Sequence, residues 1–464
     1  MNTLTDRLNI ALNTSGPGYR LRLCQNTTYT IQAPIHFFAP NQEISTVGLP
    51  VEGEDGEDLR AILLINGPVA NGVGHTTAVD GQCQNCDGTI LRHVRINGTR
   101  LGAPPINGGA NIEMGGSNSD QLIEYVKSFD PRGWSCLHVM EGALDCMNAT
   151  VRYNDIGPCG SDAFQQWADG ISLSCRNSYV HGNWINNPTD GGIVIFGSPG
   201  TLVENNTIWV ETNTLLGGIN MVDYEPFLGT YTGVIVRDNT IRGGFATTPE
   251  LPGATKGDNN ETVIIKIGIA MGPRTWFGDR YGLNVSFGGS VYNNQFTGGF
   301  GYAMAMSAVT NFTVENNVLF DNTSFIGSRG PNCSSTDNTP TPEPFVADQN
   351  SVVDCDLQSS IVRVSDGDSL TCIMPTDGDF WPFGGQPSPN VPGEEGPGSG
   401  GPGSGGPGKE GKSTAQNTAA KIGLGLGIPL GIVVALIGSW YLRNWYLSRP
   451  HHGVPRSAYL KRYS

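Results

Sequence analysis

"DGGIVIFGSPGTLVENNTIWV", Asp190 to Val210, combines an alternating apolar run, a Gly-Ser-Pro-Gly turn and the closing phrase "VENNTI". That phrase returns as "VRDNTI" from Val236, "VYNNQF" from Val291 and "VENNVL" from Val314. A phrase that recurs along a chain marks architecture before it marks chemistry.

Aligning on its valine gives Val94, Val126, Val151, Val180, Val203, Val236, Val291 and Val314. Three residues further on stand Asn97, Phe129, Asn154, Asn183, Asn206, Asn239, Asn294 and Asn317. The steps run from 23 to 33 residues, with one of 55 that reads as two coils with an insertion. After each comes a short alternating run, such as "GANIEM" from Gly109, "CLHVME" from Cys136, "GISLSC" from Gly170 and "GINMVD" from Gly218. Between the runs there is no helical period of useful length. This is the pattern of a solenoid of β-coils stacked about 4.8 Å apart. The fold expected is all-β: a single-stranded parallel β-helix.

In that geometry Ile112, Val139, Ile171, Leu173, Ile193, Ile195, Ile219, Met221, Ile269 and Met271 point inward. Asn111, Glu113, His138, Ser172, Val194, Phe196 and Asn220 point outward. The recurrent asparagine is read as a ladder, each amide bonding the equivalent turn of the next coil. On that register Asn97 is a ladder position and its sequon stays unglycosylated.

Composition agrees with many tight turns and little helix. There are 65 glycines among 464 residues and only 15% charged residues. Ten cysteines and ten N-x-S/T sequons favour the oxidising secretory route. The sequons expected to carry glycans are Asn13, Asn26, Asn148, Asn205, Asn260, Asn284, Asn311, Asn322 and Asn332. Cys83 and Cys86 in "CQNC" read as disulfide partners, since no second CxxC or histidine pair completes a zinc site.

The domain reading places the β-helix ectodomain at 1–330 and a cysteine-containing tail at 331–382. A Gly/Pro/Ser-rich disordered stalk is expected at 383–421, a transmembrane helix at 422–442 and a basic cytoplasmic tail at 443–464. The span "IGLGLGIPLGIVVALIGSWYL" holds 21 uncharged residues, with Trp440 and Tyr441 at an interfacial position. Arg443, Arg449, Arg456, Lys461 and Arg462 follow it with no acid among them, so the large domain is expected to face outward as in a type I surface protein. The opening "MNTLTDRLNIALNTSGPG" has no apolar stretch of signal-peptide type, and the expectation is that the true first codon lies upstream.

At this point the chain resembles the right-handed parallel β-helix proteins of the pectin-lyase-like superfamily, especially fungal membrane-anchored surface members with the parallel β-helix repeat. The resemblance covers residues 4–330. It includes "DRLNIALNTSGPGYRLRLCQNTTYTI" from Asp6, similar to the superfamily's capping helix, Pro/Gly turn and first coil. It implies a fold that hosts lyases, hydrolases, epimerases and non-catalytic adhesins. The signature clusters of its named enzymes are absent: no N-T-D, G-H-G or R-I-K, no R-x-P-x-x-R, no D-P-H.

The tail after residue 442 holds five of the 27 basic residues and no acid, so residues 1–442 carry 22 basic against 42 acidic residues, net −20. Such a surface repels pectate, alginate and nucleic acid unless Ca²⁺ bridges the charges, and it tolerates neutral glycans. No cofactor is expected beyond Ca²⁺, and nothing sets an oligomeric state.

Three groupings remain. Asp169 and Asp190, in "WADGISL" and "TDGGIVIFG", fall at nearly the same edge of adjacent coils. They are candidates for catalytic carboxylates at the ~5–9 Å separations of glycosidases, against the plainer reading of Asp-Gly turns. His138, with Glu141 and Asp145 after it, is a candidate acid or base on a solvent-facing position, against an ordinary surface histidine. "MGPRTWFGDRYG", from Met271, gathers Arg274, Trp276, Asp279, Arg280 and Tyr281 as a sugar-binding loop, against an aromatic lid over the β-helix flank. The function expected is a surface β-helix that binds or modifies polysaccharide, by hydrolysis or elimination if catalytic. The alternative is a non-catalytic adhesion scaffold.

Overall fold

The structure, a computed structural model, describes residues 3–53, 56–100, 106, 108–161, 166–244, 265–277, 281–325, 327, 343–365 and 367. The stalk, the 422–442 segment and the basic tail lie outside them. Among the described residues no helix is long and apolar enough to cross a membrane.

Helix α1 (Leu4–Ser15) closes the N-terminal end. Thr3 and Asp6 form a capping box, and Gly16 ends the helix at φ 73°, where a side chain would be strained. Leu12 is fully buried, and Gln42 Nε2 donates to the orphan carbonyls of Leu12 and Gly16.

From Arg20 the chain winds in parallel coils. Eleven short strands stack into one sheet, from Arg20–Leu23 through Tyr179–His181 and Leu202–Glu204 to Asp356–Leu357. A second, 20-stranded sheet supplies two more faces. One is built from short strands such as Trp184–Asn186 and Thr207–Trp209. The other is built from longer ones: Ile112–Gly115, Ser135–Met140, Asp169–Leu173, Gly191–Ile195, Leu215–Met221 and Ile265–Met271.

Register explains the repeat. Leu91, Ile123, Val151, Val180, Val203, Val236, Val291 and Val314 lie opposite one another in turn, an aliphatic column inside the coils. Three residues on from Val151, the ladder begins. Asn154 Nδ2 donates to Asn183 Oδ1 at 2.9 Å, and the relay passes through Asn206, Asn239, Asn294 and Asn317 to Gln358. Each Nδ2 also donates to a carbonyl of the preceding coil, as Asn206 does to Val180. The residue before each asparagine takes positive φ, as at Tyr153, Asn205, Asp238, Asn293 and Asn316. The turn therefore directs backbone donors inward, where only a polar side chain satisfies them.

Two expected registers are corrected. The column runs back from Val151 to Ile123 and then Leu91, not to Val126 and Val94. Val94 and Val126 thus sit where later coils put asparagine, and Val126 N donates to Asn154 Oδ1 at 3.0 Å as the first rung. Asn97 is not a ladder residue. It pairs with Phe129 on the next face and accepts from Thr99 N. The coils also continue past 330, since Phe345–Asp348 pairs with Gln295–Met306 and Asp356–Leu357 with Thr313–Glu315.

All ten residues expected inward on the long-stranded face are fully buried. Those expected outward are buried too: Glu113 is 7% exposed, His138 2%, Phe196 1% and Asn220 2%. Asn111 instead bonds Ser128 Oγ and Phe129 O. The cover over the later coils is apolar, a second cluster that includes Ile267, Ala270, Trp276, Tyr302, Ala305 and Val346. Sheets buried on both faces lose their polar alternation, as "IKIGIAM" shows.

Disulfides join Cys83 to Cys86, Cys136 to Cys159 and Cys146 to Cys175. Among the described residues Cys24 and Cys355 are unpaired; Cys333 and Cys372 lie outside them.

Candidate functional site

Two of the acidic exceptions on this doubly buried face stand at the starts of neighbouring strands. Asp169 opens the strand Asp169–Leu173, and Asp190 directly precedes Gly191–Ile195. These strands are neighbours, with Ile171 opposite Ile193. Asp169 Oδ1 accepts from Gly191 N at 2.8 Å, while its Oδ2 accepts from Ser172 Oγ at 2.7 Å. Ser172 Oγ lies 3.0 Å from Ser135 Oγ. The sequence places the two aspartates on adjacent coils, and the structure brings them into electrostatic contact.

It adds two charged groups that the sequence reading missed. Gly191 lies opposite Gly217 and Leu215 opposite Ile265, so Asp190, Leu216 and Lys266 share one column. Asp223 follows the strand Leu215–Met221. Asp223 is 3% exposed and Lys266 4%. Asp190 keeps a solvent edge but is closely surrounded by protein. Burial pushes its carboxyl well above the usual range, the negative charges of Asp169 and Asp223 push it further, and Lys266 opposes them. Burial likewise holds the Lys266 ammonium well below its ordinary value, against the pull of Asp190. A signal for Lys266 was present: a lysine interrupting the apolar run "VIIKIGIAM".

His138 is not solvent-facing, and its partner is neither Glu141 nor Asp145. Its Nδ1 lies 2.7 Å from Glu113 Oε2, on the adjacent strand and in direct register. Glu113 also accepts from Ala110 N and Gln82 Nε2, so Nδ1 is the protonated nitrogen in this pair. Nε2 is buried without a hydrogen-bond partner. The Trp134 ring stands edge-on to the imidazole at 4.8 Å. Ser172 faces His138 across the strands, so a hydroxyl network separates the imidazole from Asp169. Glu141 instead accepts from Ser174 Oγ at 2.6 Å, and Asp145 is exposed.

In the expected sugar-binding loop, the place of Trp276 is corrected. Pro273–Phe277 forms a short helix, α2, and Trp276 is only 7% exposed within the second apolar cluster. It is a covering side chain, not an open stacking platform, because the outward aliphatics beneath it need cover. Arg274 Nη1 donates to Gly282 O, and Tyr281 packs against Phe277 and Tyr224, each at 5.6 Å. Asp279 and Arg280 lie outside the described residues.

Among the sequons, Asn13, Asn26, Asn148, Asn205, Asn284, Asn311 and Asn322 are exposed and Asn97 is half-buried. Asn260 and Asn332 lie outside the described residues. No group of three or more His, Cys, Asp or Glu among the described residues is arranged to hold a metal ion.

Residues 142–266 match the family described as "Right handed beta helix region". Together with the strand pairing, this defines a right-handed parallel β-helix. No curated relative matches the chain. Solved structures similar to it include the catalytic unit of a GH87 alpha-1,3-glucanase from Streptomyces thermodiastaticus, at 13% identity and TM-score 0.43, covering 81% of this chain and 64% of that one. The chain thus spans less than two thirds of that unit. A DFA-IIIase from Arthrobacter chlorophenolicus is 12% identical at TM-score 0.43, over 76% of this chain and 89% of that one. The Streptococcus pneumoniae surface protein and adhesin PfbA is 10% identical at TM-score 0.43, over 77% and 92%.

Proposed function

We propose that this β-helix is a surface protein acting on a neutral polysaccharide, with the group of Asp169, Asp190 and Lys266, and Asp223 in electrostatic reach of it, as its reaction centre. The observation that carries the reading is a buried charged group: Asp190 and Lys266 share a column, Asp169 lies on the neighbouring strand, and Asp223 is within electrostatic reach of Asp190. Glycoside hydrolysis needs one carboxyl protonated to give its proton to the leaving oxygen and another ionised to activate water or meet the sugar cation. Asp190, whose proton is held by burial and by its acidic neighbours, suits the donor role. Asp169, fixed by Gly191 N and Ser172 Oγ, suits the second. The acidic surface favours an uncharged glycan over a uronate.

The same reading includes the outer face of a membrane as its location, held by the 422–442 span, with N-glycans on the exposed sequons. Ca²⁺ is not required by it.

A second reading, a non-catalytic adhesion scaffold, is favoured by one observation: Asp169, Asp223, Lys266 and His138 are all at most 4% exposed. The test is to incubate the full-length protein with neutral wall polysaccharides, assaying reducing ends and unsaturated sugars. Turnover that is lost in Asp190→Asn and Asp169→Asn, with glycan binding retained, supports the hydrolase. Binding without turnover in wild type establishes the scaffold.

A further inference from the structure

The capped end carries a feature that the reaction centre does not use. Asp6, Asn9, Ile10 and Asn13 of α1 stand at the spacing of one helical stripe. With Phe38 they line an open groove of about 390 Å³. Ile10 is 52% exposed and Phe38 38%, an apolar floor left in water at the capped end. Asn9 is already committed, donating to Pro34 O and accepting from His36 N. Asn13 is exposed, and with Thr14 and Ser15 it forms an N-x-S sequon.

We propose that Asn13 carries an N-linked glycan whose first N-acetylglucosamine lies in this groove against Phe38 and Ile10, clamping α1 onto the first coils. Two independent observations meet here, an acceptor sequon and an exposed aromatic floor lining the same cavity. Helical side chains lean over the turn that precedes them, so a sugar on Asn13 is aimed back across Ile10 rather than out into solvent. The apolar face of a pyranose stacks on an aromatic ring as other apolar groups do. The acetamido and hydroxyl groups then meet Asp6 at the rim. The bond formed is the N-glycosidic C–N bond between Asn13 Nδ2 and the anomeric carbon of a lipid-linked oligosaccharide; the anomeric C–O bond breaks, the lipid pyrophosphate leaves and one Nδ2 proton is released.

The test uses the full-length chain made in a secretory eukaryotic host. Glycopeptide mapping should find Asn13 occupied. Amide exchange is then followed over Leu4–Ser15 in wild type, Asn13→Gln, Phe38→Leu and the double variant. Asn13→Gln should speed exchange of α1 about fivefold in the wild-type background. In the Phe38→Leu background, where apolar bulk remains but the ring is gone, the same change should matter less than twofold. Should Phe38→Leu fail to fold, Ile10→Ser replaces it in the same cycle. An unmodified Asn13 in a chain whose other exposed sequons are occupied, or an equal effect of Asn13→Gln in both backgrounds, overturns the proposal; a chain with no sequon occupied overturns it together with the surface location on which it rests.

Discussion

Asn206 gives two hydrogen bonds to one atom: its backbone N–H and its Nδ2 both reach Oδ1 of Asn239 at 3.0 Å. Both residues are essentially fully buried. The relation repeats from Asn154 to Asn317, so each asparagine serves the backbone of two coils at once.

Removing a rung should therefore be costly. Asn206→Ala strands the buried backbone N–H of Asn183, and Asn239→Ala does the same to that of Asn206. Each should lose about 1–3 kcal/mol per unsatisfied buried group. Denaturant melts check this, and an unchanged midpoint in both variants would refute the ladder's energetic role.

Asp190 should make stability depend on pH. Its folded carboxyl lies above the unfolded value, so its contribution is complete below about pH 4 and is lost as pH rises through the folded value. Lys266, lowered in the fold, acts in the opposite sense and loses stability as pH falls through its own folded value. Asp190→Asn removes the first effect, and with it the pull that raises the Lys266 value. Relative to wild type the variant should gain stability above pH 4, by up to ~1.4 kcal/mol per pH unit until the folded value is passed. Guanidinium melts from pH 4 to pH 8 measure the difference, and parallel curves would contradict it.

Trp276→Ala should destabilise the protein by about 3–5 kcal/mol, as deletion of a large buried side chain does. Loss of glycan binding with an unaltered melting temperature would instead restore the open-platform reading of this loop.

Glu113→Gln should cost about 1–3 kcal/mol, because the buried His138 Nδ1–H loses a charged acceptor. The histidine's ring protons, followed by NMR, should shift with it. A variant of wild-type stability would place the pair outside the network that supports the cluster.

How much of this was legible? The fold was, because stacked parallel coils impose the same demand at the same place in every turn. Val203 and Val236 must fill the core, and Asn206 and Asn239 must satisfy an inward-facing bend. A constraint repeated in space becomes a repetition in sequence. The first coils escaped that logic: Val94 and Val126 occupy the asparagine position, and the local spacing pointed instead to Asn97 and Phe129. Only strand pairing separates the two registers.

The candidate site divides in the same way. Asp169 and Asp190 were visible because both open an alternating run on successive coils. Asp223 and Lys266 join them only through stacking, which sets residues far apart in sequence one or two coil spacings apart. Alternation showed that Glu113, His138 and Trp276 differ from the inward aliphatics, but not what lies over them. The sequence by itself determined the coil, its inward columns and its ladder, since each is a local rule applied repeatedly. The tertiary structure alone decided which outward side chains are covered, and therefore which charges lose their water. Desolvation depends on everything packed within a few ångströms, wherever it sits in the chain.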